Sequence, residues 1–199
     1  MVRTNQPLHR LQDNAKLSGS RRQSLFGLYC NNLLNYGRWL PPKAFSALAD
    51  EDGNCRDTRA ETLIRQSDIP VAFADAAGCQ VKSGRWYDPY TNNIFTDDND
   101  LDIDHIVPLK WAYEHGANTW PENIRAAFAN DTLNVIAVSL SANRSKGAKG
   151  PTEWMPANQQ FRCQYLERFQ RVIRKYQLSL QATETRVLNK QVSACATTG

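Results

Sequence analysis

Two stretches of this 199-residue chain gather side chains able to activate water. The first, "DLDIDHIVPLKWAYEHG" (Asp100–Gly116), holds two of the three histidines, and aspartates at alternate positions lead into His105. The second, "TLNVIAVSLSANRSKG", carries Asn134 and Asn143. Hydrolysing a phosphodiester calls for a base with a pKa near the working pH, which histidine supplies. It also calls for a divalent cation to offset charge growing on the leaving oxygen. Magnesium takes few protein ligands, all oxygen, and keeps several waters. One carboxylate (Asp104) and one amide oxygen (Asn143) meet that need. Neighbouring strand residues face opposite ways, so Asp104 and His105 reach one phosphate only where the strand ends or twists. Pro108 supplies such a break.

The elements that must hold these residues are legible in the pattern. Asp100, Asp102 and Asp104 alternate with Leu101 and Ile103, as in a strand. "LKWAYEHG" predicts a short helix closed by Gly116, and "PENIRAAFAN" another with Pro121 at its first turn. "TLNVIAVS" is rich in β-branched and apolar residues and reads as a strand. It passes into "SANRSKGAKG", a helix start with Ser141 as its N-cap. The outline is strand, inserted helices, strand, helix. Asp104 and His105 end the first strand, Asn134 opens the second, and Asn143 lies on the final helix.

Around this outline, "DTRAETLIRQS" predicts a helix, and "GCQVKSGRWYDPYTNNIF" a strand-turn-strand with its turn at Pro89–Asn93. Phe161, Tyr165, Phe169, Val172, Ile173 and Tyr176 recur at helical spacing in "NQQFRCQYLERFQRVIRKYQL". A second, shorter helix, "TETRVLNKQV", is expected to be capped by Thr183 and to run antiparallel to the first. At the other end, "RQSLFGLYCNNLLNYGRWL" reads as a helix following a polar, frayed start. Neither repeats nor a linker composition divide the chain, so one domain is expected, over 55–199, with 1–54 as an N-terminal tail and helical extension.

Composition is that of an ordinary globular protein, with 41% hydrophobic and 22% charged residues. No apolar run approaches the roughly 20 residues of a membrane span. A net charge of +4 permits a polyanionic partner without demanding one. Five cysteines without a CxxC, and histidines far from finger spacing, argue against a structural zinc site. Counting back from the turn between the C-terminal helices places Cys195 beside Cys163. Cys55 and Cys79 bracket the "DTRAETLIRQS" helix and form the natural second pair, leaving Cys30 over. The alternative is five reduced thiols. Paired thiols imply an oxidising compartment, secreted or periplasmic, with any signal peptide already removed.

"DIDHIVPL" followed by "NVIAVSLSANRSKG" resembles the HNH signature of the His-Me finger, or ββα-metal, endonucleases. The ordered series "CRDTRAETLIR", "GCQV", "DPYT", "FANDTLNVIAV", "EWMP" and "FRCQYLERF" is similar to secreted bacterial HNH nucleases related to the GmrSD C-terminal nuclease domain. The likeness covers roughly Cys55 to Cys195. It implies an α+β fold, mostly helical, around a ββα-metal core with a small antiparallel hairpin, stapled by the same two disulfides. It implies His105 as general base, Asn134 as the catalytic-loop support, and Asp104 and Asn143 as ligands of Mg2+ or a similar divalent ion such as Mn2+. Asn stands in the third motif place where other members have His. The expected activity is non-specific cleavage of DNA, with RNA as a second substrate, leaving 5′-phosphate ends.

Other readings of the same residues stand beside this one. Arg144 and Lys146 follow Asn143 and either grip phosphates or are solvated surface charges. The aspartates from Asp97 to Asp102 either bind calcium or form a solvated acidic turn. His115 is expected to help end its helix. The basic residues of the long C-terminal helix track nucleic acid or simply face solvent, and Trp86, Trp111, Trp120 and Trp154 read as core. For the whole chain, the rival is a nucleic-acid-binding or toxin-associated module that kept the fold without turnover. A further alternative is a metal-binding interaction domain.

Overall fold

The computed structural model describes Phe45 and residues 47–196. The expected N-terminal helix and Cys30 lie outside the described residues. Among the described residues, six α-helices surround two small antiparallel sheets, and two disulfides join Cys55 to Cys79 and Cys163 to Cys195. In chain order the elements are α1 (Thr58–Gln66), β1 (Ala72–Phe73), β2 (Val81–Asp88), β3 (Asn93–Asp97), β4 (Leu101–His105), α2 (Leu109–Glu114), α3 (Glu122–Asn130), β5 (Val135–Ser139), α4 (Leu140–Lys146), α5 (Arg162–Lys175) and α6 (Ala182–Ala196).

At the centre of the described residues, β4 pairs antiparallel with β5, followed directly by α4: a ββα unit with two helices inserted between its strands. The register sets Asp102 opposite Val138, Asp104 opposite Ile136 and His105 opposite Val135. Directly opposed residues share a face. One face of the ribbon therefore carries Asp102, Asp104, Ile136 and Val138, and the other carries Leu101, Ile103, His105, Val135 and Ala137. Both faces are covered, which explains why all five residues of β5 are buried and the strand reads as a continuous apolar run. Ile136 and Val138 join a core with Tyr90, Trp111, Phe128, Tyr165 and Phe169. Leu101, Ile103, Val135 and Ala137 join a second one with Leu63, Val81 and Trp86.

The hairpin β2–β3 packs on the second core, with β1 along its edge. Trp86 is buried there, and its indole N–H donates to the Leu63 carbonyl at 2.8 Å. Asp57 caps α1 by accepting from the Ala60 N–H at 2.8 Å. Contacts reach back before Cys55: Phe45 packs on Phe128, and Thr58 donates through its backbone to Ala49 O.

Three local expectations are corrected. Ser139, rather than Ser141, is the N-cap of α4, accepting from Ala142 N–H at 3.4 Å. The helix starts as soon as the strand stops, so no loop residue is left to cap it. Thr183 lies inside α6. There the Glu184 carboxylate reaches back to the Gln181 N–H at 2.8 Å, satisfying one of the helix's free donors. The helix also continues past the expected "TETRVLNKQV" to Ala196, so Cys195 bonds from its last turn and not from a segment beyond it. Gly116, with φ of +120°, follows α2 as a residue free to take that conformation.

Candidate active site

Strand alternation decides how the motif residues are presented. β4 turns Asp102 and Asp104 toward α4, and α4 answers with Asn143 and Lys146, which share a helix face at a spacing of three. Two rungs result. Asn143 Nδ2 donates to Asp102 Oδ2 at 3.1 Å. Lys146 Nζ lies 3.0 Å from Asp104 Oδ1 and 2.9 Å from its Oδ2, and donates to the His105 carbonyl at 2.6 Å. The two expected ligands, Asp104 and Asn143, thus stand one rung apart on the same seam, each with its own partner.

Lys146 is fully buried. The expectation that it grips phosphate from the surface with Arg144 is therefore corrected: its ammonium is inside, balancing Asp104, while Arg144 is exposed. Burial lowers the Lys146 pKa and the adjoining carboxylate opposes that. Tyr90, also buried, donates its hydroxyl to Asp104 Oδ2 at 2.7 Å. Burial first, and the Asp104 charge second, push that phenol well above its usual pKa, so it holds its proton and serves as donor. A buried carboxylate with a cation, a hydroxyl and little solvent is fixed in position.

His105 is the last residue of β4 and faces the other way. Its Nε2 lies 2.7 Å from the carbonyl oxygen of Ala129, near the end of α3. A carbonyl only accepts, so in the neutral ring Nε2 carries the proton and Nδ1 is the basic atom. Burial holds the imidazole below its ordinary pKa, and the Lys146 charge acts the same way. The Ala129 hydrogen bond and Asp104 oppose them. The net shift favours the unprotonated ring, the form a general base requires.

Asn134 is fully buried, and among the described residues its side-chain hydrogen bonds go to backbone alone. Its Oδ1 accepts from Val107 N–H at 2.9 Å, and its Nδ2 donates to Val107 O at 3.3 Å and Phe128 O at 3.4 Å. The Asn134 carbonyl also receives Ile106 N–H at 2.7 Å. These bonds tie the segment leaving His105 to the segment that carries Ala129. Arg168 of α5 braces the same loop from behind, donating to the carbonyls of Thr132, Leu133 and Val135.

Tyr90, Asp102, Arg168 and the Ala129 carbonyl were not among the residues expected at the site. Asp102 left a trace in the sequence as one of three alternating aspartates, while Tyr90, Ala129 and Arg168 lie within "DPYT", "FANDTLNVIAV" and "FRCQYLERF" with no sign of their roles. Its half-buried carboxylate is engaged by Asn143, not solvated in a turn. His115 bonds both the Trp111 carbonyl, at 2.6 Å, and Glu184, and its ring stacks on Trp111 at 3.6 Å. It joins the end of α2 to α6. Among the described residues no three His, Cys, Asp or Glu side chains gather as a ligand cluster. The oxygen donors on the seam are Asp104, Asp102 and the Asn143 amide, a set whose hardness fits Mg2+ or Mn2+.

Comparison with known proteins finds one family and a relative. Residues 60–191 match the family of GmrSD restriction endonucleases, C-terminal domain. A protein of Arthroderma benhamiae described as an uncharacterized secreted protein is 37% identical over 145 residues, covering 72% of this chain and 69% of that one. No solved structure matches. The chain belongs to the family of GmrSD restriction endonuclease C-terminal domains.

Proposed function

We propose that the chain is a metal-dependent, non-specific endonuclease that hydrolyses phosphodiester bonds of DNA, and of RNA where it meets it. One observation carries the reading: an imidazole at a strand terminus, held through Nε2 on a backbone carbonyl and so left with a basic Nδ1, adjoins a buried carboxylate. Family membership supports a nuclease over an unrelated hydrolase.

His105 takes the proton of the attacking water at Nδ1, and the Ala129 carbonyl steadies the imidazolium that forms. Asn134 keeps the ring at its working angle by fixing both neighbouring segments. Asp104 and Asn143 would hold the divalent ion, with Lys146 and Tyr90 keeping the Asp104 carboxylate from turning. A bound ion would supply charge stabilisation at the departing 3′-oxygen, leaving 5′-phosphate ends. Asp104 and His105 face opposite sides of the ribbon. The strand stops at His105, and a phosphodiester laid across that end would bridge the two sides. Arg144, exposed one position beyond Asn143, would pair with a neighbouring phosphate.

We further infer an oxidising site of action, secreted or periplasmic. Both disulfides and the description of the relative as secreted support it. No helix among the described residues is long and apolar enough to cross a membrane.

The test is plasmid incubated with the protein and Mg2+, with and without chelator. Nicking that chelator stops and Mg2+ or Mn2+ restores is expected. Cleavage indifferent to chelator would refute the metal-dependent reading.

A further inference from the structure

We infer that Asp102 is a positioning residue for Asn143: its carboxylate fixes which end of the amide faces the cation. The inference rests on the proposed role of Asn143 as a ligand and goes beyond it, to a residue outside the expected set.

A side-chain amide has two chemically opposite ends related by half a turn about its last bond. Only the oxygen binds a cation; the amino end repels one. An isolated Asn on a half-exposed helix face samples both. Here the Asp102 carboxylate, an acceptor only, takes the amino group at 3.1 Å. The alternative orientation would set two oxygens against each other, so the amide is locked with its nitrogen spent on Asp102 and Oδ1 as the atom it can offer.

The fold makes the pairing rigid at both ends. Asp102 sits inside the β4–β5 ladder opposite Val138, and Asn143 sits on the helix that follows β5 without a loop. The neighbouring rung, Asp104 to Lys146, holds helix and strand at a fixed spacing. Asp102 is only half-buried, unlike Asp104, so its removal strands no buried charge. A local effect on ion binding is therefore separable from an effect on folding.

The experiment titrates the full chain with Mn2+, following loss of the free-ion EPR signal, for the parent, Asp102→Ala, Asp102→Asn and Asn143→Ala. Thermal melts of each are recorded in parallel without metal. Asp102→Ala is expected to weaken Mn2+ binding about 10- to 100-fold, the range found when partners of metal ligands are removed, with the metal-free melt little changed. Asp102→Asn offers an amide oxygen to the same N–H and is expected to keep clearly more affinity than Asp102→Ala. Parent-like binding by Asp102→Ala, with binding lost in Asn143→Ala, would overturn this inference alone. Equal losses in Asp102→Asn and Asp102→Ala would make Asp102 a charged ligand, and an early melt of Asp102→Ala would make it a structural residue; either overturns the positioning role. Parent-like binding by Asn143→Ala would overturn the ligand assignment and this inference with it.

Discussion

Replacing Lys146 by Met removes an ammonium that is fully buried and sits within 3.0 Å of both Asp104 oxygens. Methionine is of similar length and keeps the helix propensity, so the change removes the ammonium, with its bonds to Asp104 and the His105 carbonyl, while the stem stays packed. What remains is a carboxylate 4% exposed, with the Tyr90 hydroxyl at 2.7 Å as its one remaining side-chain donor among the described residues. Breaking one side of a buried pair costs about 3–5 kcal/mol, mostly as the penalty of the charge left behind. At about 2–4 °C per kcal/mol for a chain of this size, the melting temperature should fall by roughly 6–20 °C. The double variant Lys146→Met, Asp104→Asn separates causes. It removes both charges yet keeps an oxygen for Tyr90, and it should recover most of that loss. Thermal and urea unfolding with both disulfides intact provide the measurement. A single variant within about 1 kcal/mol of the parent, or a double variant no better than the single, would show that Lys146 does not balance Asp104.

Further outcomes follow from the same geometry. Asn134→Asp keeps size but loses the donors to Val107 O and Phe128 O; a loss of about 1–3 kcal/mol is expected by urea denaturation, together with strongly reduced plasmid cleavage. Replacing Cys163 and Cys195 by Ala opens a 32-residue separation and should cost about 3–4 kcal/mol in the chain-entropy account, as should opening the 24-residue Cys55–Cys79 separation. Burial disfavours the Asp131 charge, but bonds from Lys175, the Leu133 N–H and Tyr176 outweigh it and hold the carboxyl below its usual pKa. Its contribution is thus full above the unfolded carboxylate pKa and lost as pH falls through the lower folded value. Asp131→Asn should therefore flatten the acid limb of a stability–pH curve, and an unchanged limb would contradict that.

Local pattern carried much of the architecture. Alternating Asp and apolar residues marked β4, the β-branched run marked β5, and apolar spacing marked α5, because burial on one face leaves a period in the chain. Gly116 and Asp-rich turns punctuated it. The Cys163–Cys195 pair was legible because a helical hairpin constrains which positions meet, and Cys55–Cys79 because the two bracket one helix. What pattern could not convey is pairing across elements. Asp102 meets Asn143, and Asp104 meets Lys146, across some forty residues of sequence, and that depends on the register of β4 against β5 and the seat of α4. Lys146 read as a surface charge because nothing in its neighbourhood of Arg144, Ser145 and Gly147 signals an acid waiting beneath it. The Ala129 carbonyl that orients His105 is a backbone group, which no side-chain motif can encode. The misplaced caps of α4 and α6 have a simpler cause: Ser139 and Ser141 are two residues apart, and which one caps depends on where the strand releases the chain.

Removal of a proton from the attacking water by His105 is tested most directly by the initial rate of plasmid cleavage by His105→Ala, at saturating Mg2+ and with an unchanged near-UV spectrum. General bases contribute about 100- to 10,000-fold. A rate reduced by at least about 100-fold is predicted, and a folded His105→Ala protein that cleaves within about tenfold of the parent would contradict the account.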